Sequence, residues 1–139
     1  MEQFTFYEWY ADILQSMDDI SAGKLANCIC AYEFEDREPM EQLSDKEDFY
    51  WSNIAGVLKE VKETESIGKI PKKYNLQSKH FTFYETYYKA MKLMNTRKQG
   101  IFVKAICAYM FENEEPKFED GTMQGYFTLC KRKLDVSKK

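Results

Sequence analysis

The sequence predicts an all-α fold, two tandem three-helix repeats packed as a pseudo-twofold helical domain, and three observations carry the prediction. The first is internal repetition. Phe4-Thr5-Phe6-Tyr7-Glu8 returns as Phe81-Thr82-Phe83-Tyr84-Glu85, Ile29-Cys30-Ala31-Tyr32 as Ile106-Cys107-Ala108-Tyr109, and Glu38-Pro39 as Glu115-Pro116, all at one offset of 77 residues. At that offset 16 of 36 positions are identical, the mark of two copies of one unit. The second is apolar spacing of three and four residues through most of each copy. The third is composition: ten Tyr, ten Phe and two Trp against six Gly and three Pro. A disordered chain is poorer in aromatics, and an all-β chain needs more turn residues.

Each copy divides into three helices. Thr5-x-x-Glu8 and Thr82-x-x-Glu85 fit a capping box, so a first helix is expected to start there and to run through Tyr10, Ile13, Leu14 and Met17, or Tyr87, Met91 and Met94. A second carries Leu25, Cys28, Ile29 and Tyr32, or Phe102, Ala105, Ile106 and Tyr109. It stops before Pro39 or Pro116, because the residue preceding proline avoids the helical region. A third opens at the capping box Ser44-x-x-Glu47 and continues through Tyr50, Ile54, Val57, Leu58 and Val61. Its counterpart shows Met123, Tyr126, Phe127, Cys130 and Leu134, with the register slipped by about one residue. The tyrosines at 7, 10, 32, 84, 87 and 109 fall on apolar faces and are expected in the core.

The chain therefore reads as an acidic helical repeat (1–66), a basic linker (67–80) with a short turn near Tyr74, and a basic helical repeat (81–139). A unit of this size has a thin core by itself, so the copies are expected to pack on one another. Their charges have diverged. Residues 1–66 hold 5 Lys and Arg against 16 Asp and Glu, a balance of −11, and residues 67–139 hold 15 against 7, a balance of +8. The net charge of −3 conceals this asymmetry, which points to a charged partner.

The second copy carries a resemblance. The pattern Phe81-x-Phe83-Tyr84-Glu85-x-x-Tyr88, then Ala105-Ile106-Cys107-Ala108-Tyr109-x-Phe111, then Glu112-x-Glu114-Glu115-Pro116 resembles a small helical domain of unknown function from phages and prophages of Gram-positive bacteria. Members of that family often hold one copy of the unit, sometimes ahead of a replication-initiator-like region. The first copy departs from the pattern in its acidic loop and third helix. The resemblance implies a phage context and supplies no catalytic residues.

Two charged clusters are the candidate sites. Glu33, Glu35, Asp36, Glu38, Glu41, Asp45, Glu47 and Asp48 make an acidic face able to occupy a protein groove that normally holds nucleic-acid phosphates; the bland alternative is a solvated loop, or one paired with the basic half. Lys69, Lys72, Lys73 and Lys79 of the linker, with Lys131, Arg132 and Lys133 near the end, make a strip suited to phosphates; here the alternative is a solvated face. With three Arg in the chain, specific base readout is disfavoured. Head-to-tail pairing of acidic and basic halves between molecules, a salt-sensitive homo-oligomer, is a third possibility. Trp9 and Trp51 lack a counterpart in the other copy, so each is either an interface anchor or a filler between copies.

No phosphate-cradling Gly-rich motif occurs, and His80 is the one histidine, placed before a helix cap rather than in a catalytic arrangement. Cys28 and Cys30 lie about 200° apart around a helix, which suits neither zinc nor a local disulfide, so the four cysteines read as free thiols in a reducing compartment. Glu35/Glu38 and Glu112/Glu115 are weak candidates for a divalent metal. The first residues are acidic where a secretory leader is basic, and no apolar run approaches a membrane span. The expectation is a phage-encoded, non-enzymatic binding protein of the bacterial cytoplasm, without cofactor, metal or membrane partner. It inhibits a host or defence protein that handles nucleic acid, through the acidic face. The alternative is a replication-associated accessory protein that binds DNA through the basic repeat.

Overall fold

The computed structural model describes residues 2–38, 42–65 and 79–138. Along the chain come β1 (Gln3–Tyr7), α1 (Glu8–Gln15), α2 (Asp19–Glu35), α3 (Asp45–Glu65), β2 (His80–Tyr84), α4 (Glu85–Met91), α5 (Thr96–Glu112) and α6 (Gly121–Ser137). The fold is predominantly helical, but the all-α expectation needs correcting. Phe4-Thr5-Phe6-Tyr7 and its counterpart, read as helix starts, are strands that pair antiparallel, with Phe4 opposite Phe83, Thr5 opposite Thr82 and Phe6 opposite Phe81. Alternation of large aromatics with a β-branched residue suits a pleated ribbon with one buried side, and the phenylalanines are buried while the threonines are half-buried.

The ribbon also replaces the two expected caps. Tyr7 and Tyr84 precede the helices in extended conformation and supply no side-chain cap. Instead the Glu8 N–H donates to the Lys79 carbonyl at 3.0 Å and the Glu85 N–H to the Glu2 carbonyl at 2.8 Å. Each short helix is thus started by the strand of the other half, which satisfies a backbone donor that a threonine was expected to meet.

Around the ribbon lies an aromatic core. Phe6 meets Phe81 at 5.2 Å between centroids and Phe83 at 5.5 Å. Tyr10 stands edge-on to Phe6 and Tyr87 edge-on to Phe83, the geometry ring quadrupoles favour. Tyr7, Tyr10, Tyr87 and Tyr109 are buried, and Tyr32 and Tyr84 half-buried. Trp51 is core, which removes it as an exposed anchor; Trp9 is half-buried with its ring against Tyr10. All four cysteines are free and buried.

The second helices of the two halves, α2 and α5, pack at backbone contact. A Cβ on Gly23 would overlap the Thr96 carbonyl oxygen and stand 3.1 Å from the Gly100 nitrogen; one on Gly100 would overlap the Asp19 carbonyl oxygen and stand 3.0 Å from the Gly23 nitrogen. Only glycine permits so close an approach. Polar groups flank the crossing. The Asn27 amide donates to the Gln99 side chain, whose own amide donates to the Met91 carbonyl. Lys104 reaches the Met17 carbonyl and the Asp19 carboxylate.

Asp18 and Asn95 cap α2 and α5, accepting from the Ser21 and Lys98 backbone N–H groups. Both helices end on a left-handed residue, Asp36 (φ 51°) and Asn113 (φ 60°), a common helix stop that acts before the prolines do. The capping box at Ser44 is present as expected: the Ser44 N–H donates to Glu47 at 2.9 Å and the Glu47 N–H to Ser44 Oγ at 3.2 Å. Ser44 and the α6 cap Asp120 lie 76 residues apart, against 77 for Asp18 and Asn95. The linker and its turn lie outside the described residues, apart from Lys79 and His80.

Candidate interaction surface

The connection between α2 and α3 decides how the acidic residues are distributed. Ser21 and Lys24, near the start of α2, bind Glu47 near the start of α3. Lys62, near the end of α3, donates to the Tyr32 carbonyl near the end of α2 and reaches Asp36 at 3.8 Å. The helices therefore run parallel. Rising 1.5 Å per residue, α2 covers about 21 Å between Ser21 and Glu35. The acidic segment, continuous in sequence, is thus split between two ends of a helix pair.

At the far end, Glu35 is engaged by the other half. It accepts from Tyr88 Oη at 3.0 Å and Lys92 Nζ at 3.1 Å, and pairs with Arg37 at 2.7 Å. Partial burial pushes the Glu35 carboxyl up, but the hydrogen bonds from Lys92 and Tyr88 outweigh it and hold the group below the usual carboxylate range. Tyr88→Phe is expected to lower stability by about 1 kcal/mol, with a double-mutant cycle against Glu35→Gln recovering most of that as coupling. Glu33 is buried. Asp36 and Glu38 face solvent, with the Asp36 side chain 94% exposed.

At the near end Glu47 belongs to the fold. Its side chain is 8% exposed and accepts from Ser21 Oγ at 2.6 Å, the Ser44 N–H at 2.9 Å and Lys24 Nζ at 3.3 Å. Those bonds, Ser21 foremost, hold its carboxyl down to about 2. Asp45 and Asp48 sit beside it in the first turn of α3 and face solvent, where a carboxylate complements the positive end of the helix dipole. Next to them Phe49 is 68% exposed, although nothing in the helical periodicity had marked it. Of the eight acidic candidates, then, Glu33, Glu35 and Glu47 are buried or bound within the chain. Asp36 and Glu38 point outward at one end, Asp45 and Asp48 at the other, and Glu41 lies outside the described residues.

The basic candidates are also divided. Lys69, Lys72 and Lys73 lie outside the described residues. The Lys79 carbonyl caps α1 while its residue surface is exposed. Lys131 pairs with Glu115 at 3.1 Å, and Lys133 lies over the Tyr84 ring at 4.7 Å. Arg132, on a different side of the same helix, is exposed. The carboxylates considered for a divalent metal include Glu35 and Glu115, which hold lysines instead.

Sequence reasoning missed Tyr88 and Lys92, which bind Glu35 across the halves. One signal was available: at the offset of 77 residues Ala11 and Gln15 stand where Tyr88 and Lys92 do, so these two positions differ between the halves.

These residues define a predominantly helical protein that contains a two-stranded ribbon, with exposed carboxylates at both ends of the α2–α3 pair. Residues 80–139 match the family of unknown function DUF6291, a span that opens at the first residue of β2 and takes in α4, α5 and α6. Neither the curated proteins nor the solved structures hold a match to the chain. Among the described residues no helix is long and apolar enough to cross a membrane.

Proposed function

We propose that this chain is a phage-encoded binding protein that acts without catalysis in the bacterial cytoplasm, inhibiting a host or defence protein that handles nucleic acid. The contact surface is the start of α3, where Asp45 and Asp48 flank Phe49. The observation that carries this reading is the exposure of Phe49 at 68%. A large aromatic left in water beside carboxylates matches the anchor-and-rim pattern of protein interfaces. Acidic rims also speed encounter with the basic surfaces of nucleic-acid-handling proteins. Asp36 and Glu38 form a separate acidic patch about 20 Å away by helix rise and are a secondary contact.

We also propose that the halves are copies of one unit packed about a pseudo-twofold axis. The reciprocal contacts of Gly23 and Gly100 and the strand register centred on Thr5 and Thr82 support this. The family match over the second half fits a unit of that length.

The test is capture of partners from bacterial lysate, with and without nuclease, by wild type and by two variants. Asp45→Lys/Asp48→Lys/Phe49→Ala is expected to lose at least tenfold in protein capture. Lys131→Ala/Arg132→Ala/Lys133→Ala is expected to keep it. Recovery of nucleic acid alone, lost at moderate salt and in the second variant, would move the function to the replication-associated reading. That reading has less support, because Lys131 and Lys133 are engaged within the chain.

A further inference from the structure

The contacts between the halves are reciprocal. Across the ribbon Gln3 stands opposite Tyr84 and Tyr7 opposite His80, with Thr5 and Thr82 at the centre. Shifted by the repeat offset of 77 residues, this register maps onto itself, so β2 laid against a second β2 would set Thr82 on Thr82 and Phe81 on Phe83. The strands differ at one position, Gln3 against His80. The Glu8 and Glu85 N–H groups donate to Lys79 and Glu2, which also match at that offset, and Gly23 meets Gly100. An interface in which each patch meets its own equivalent is isologous, the form that two copies of one unit use.

One contact breaks the symmetry. Phe34 stacks on Tyr88 at 5.7 Å between centroids, and Glu35 accepts from Tyr88 Oη and Lys92 Nζ. The equivalents of Phe34 and Glu35 in the second half are Phe111 and Glu112, but Ala11 and Gln15 stand where Tyr88 and Lys92 do and supply neither ring nor cation. Glu114 takes the place of Arg37. The charged groups that bear most on Glu112 are carboxylates, Glu114, Asp12 and Glu8, and among the described residues no cation pairs with it. The second half thus carries both sides of this contact, Tyr88 and Lys92 to give and Phe111 and Glu112 to receive. The first half carries the receiving side alone. Two second halves would make the contact twice, the mixed pair makes it once, and two first halves would not make it. Lys104, which reaches Asp19 in the mixed pair, would find Thr96 at that position. That loses a partly exposed ion pair, a weaker contribution than a tyrosyl ring buried on a phenylalanyl one.

We propose that the β2–α4–α5 face of the second half is a self-pairing surface, that the partner it fits is the same face of a second copy of this unit, and that in this chain the first half occupies it in place of that copy. This rests on the reading of the halves as two copies about a pseudo-twofold axis. The family match covers this half alone, so a single unit of this kind pairs as a symmetric dimer. In the two-unit chain a second molecule reaches the face only when the first half lets go.

Sedimentation velocity of full-length variants tests this. Wild type is expected to stay monomeric. Gly23→Leu/Phe6→Asp disables the first half's side of the interface and leaves every residue of the second half unchanged. It is expected to form a dimer of two chains joined by their second halves. The mirror variant, Gly100→Leu/Phe83→Asp, is expected to form no such dimer. Glu112→Lys added to the first variant sets an ammonium against Lys92 of the second copy and is expected to weaken the dimer at least tenfold, with Lys92→Glu restoring it. In the otherwise wild-type chain Glu112→Lys is expected not to lower the melting temperature, so its effect on the dimer is not a folding defect. A first variant that remains monomeric or unfolds overturns the proposal. So does a dimer that forms equally in the mirror variant, and so does one indifferent to Glu112→Lys. Gln15→Lys in the wild-type chain tests the pseudo-twofold reading separately, because it sets a cation opposite Glu112 as Lys92 is set opposite Glu35. It is expected to raise the melting temperature by about 1–3 °C, a gain that Glu112→Gln abolishes. Without that gain the pseudo-twofold reading fails; with the gain and no dimer, self-pairing alone fails.

Discussion

Gly100→Ala, and equally Gly23→Ala, is expected to be the most damaging small substitution in the chain, costing about 3 kcal/mol or more. A methyl group at either site overlaps a carbonyl oxygen on the facing helix, and a main-chain atom cannot rotate aside as a side chain can. Relief comes only from moving α2 and α5 apart, which disturbs the packing of Phe34 on Phe83 and of Phe111 on Phe81 and the Asn27–Gln99 hydrogen bond together. For a chain of this length the fall in melting temperature is roughly 10 °C, read from the loss of helical circular dichroism on heating. The same substitution at Gly56 in α3 or Gly125 in α6, where a Cβ would meet nothing within 4 Å, is expected to raise stability by about 0.5–1 kcal/mol. The contrast is therefore internal: identical chemistry, opposite sign, decided by whether a helix lies opposite. A Gly100→Ala protein that melts with wild type would mean that the crossing is wider than described.

Glu47→Ala is expected to cost about 2–3 kcal/mol near neutral pH, because it leaves the Ser44 N–H, the Ser21 hydroxyl and the Lys24 ammonium without their shared acceptor. The loss depends on pH in a direction the bonds dictate. The carboxyl titrates near 4.5 when free and is held to about 2 in the fold. Its contribution is complete above pH 4.5 and disappears as pH falls toward 2. Urea unfolding of wild type and variant should differ most at neutral pH and converge across that acid window. A gap that stayed constant down to pH 2 would show that the ionised group is not what matters. Glu47→Gln is expected to lie between the two.

How much of this was legible in advance follows the range of the interactions. The Ser44–Glu47 box joins residues three apart, and its pattern names both partners. The helices after it are equally local. The strands were not legible as strands, because Thr5-x-x-Glu8 satisfies a local helix rule while the backbone partners that overrule it lie near residue 80. Glu35 reads as a surface charge in sequence because Tyr88 and Lys92, which bind it, are more than fifty residues away. Along the chain the acidic residues form one continuous patch. The parallel course of α2 and α3 divides it. Phe49 carries no signal in the pattern because a lone apolar residue off the core face is ordinary; its exposure is a property of space rather than of pattern.

The ribbon has a consequence for how the chain comes into being. A ribosome delivers β1, α1, α2 and α3 long before β2, and until residues 80–84 emerge the first strand has no partner and the Glu8 N–H no acceptor. The Gly23 face of α2 waits longer still, for Gly100. The first half is thus synthesised with its aromatic side uncovered, and its completion is delayed by the time needed to translate the second. Closing so long a loop is slow relative to local helix formation. A nascent chain of this kind exposes Phe4, Phe6 and Tyr10 to chaperones and to neighbouring nascent chains for that interval, and translation speed across residues 66–100 becomes a determinant of yield.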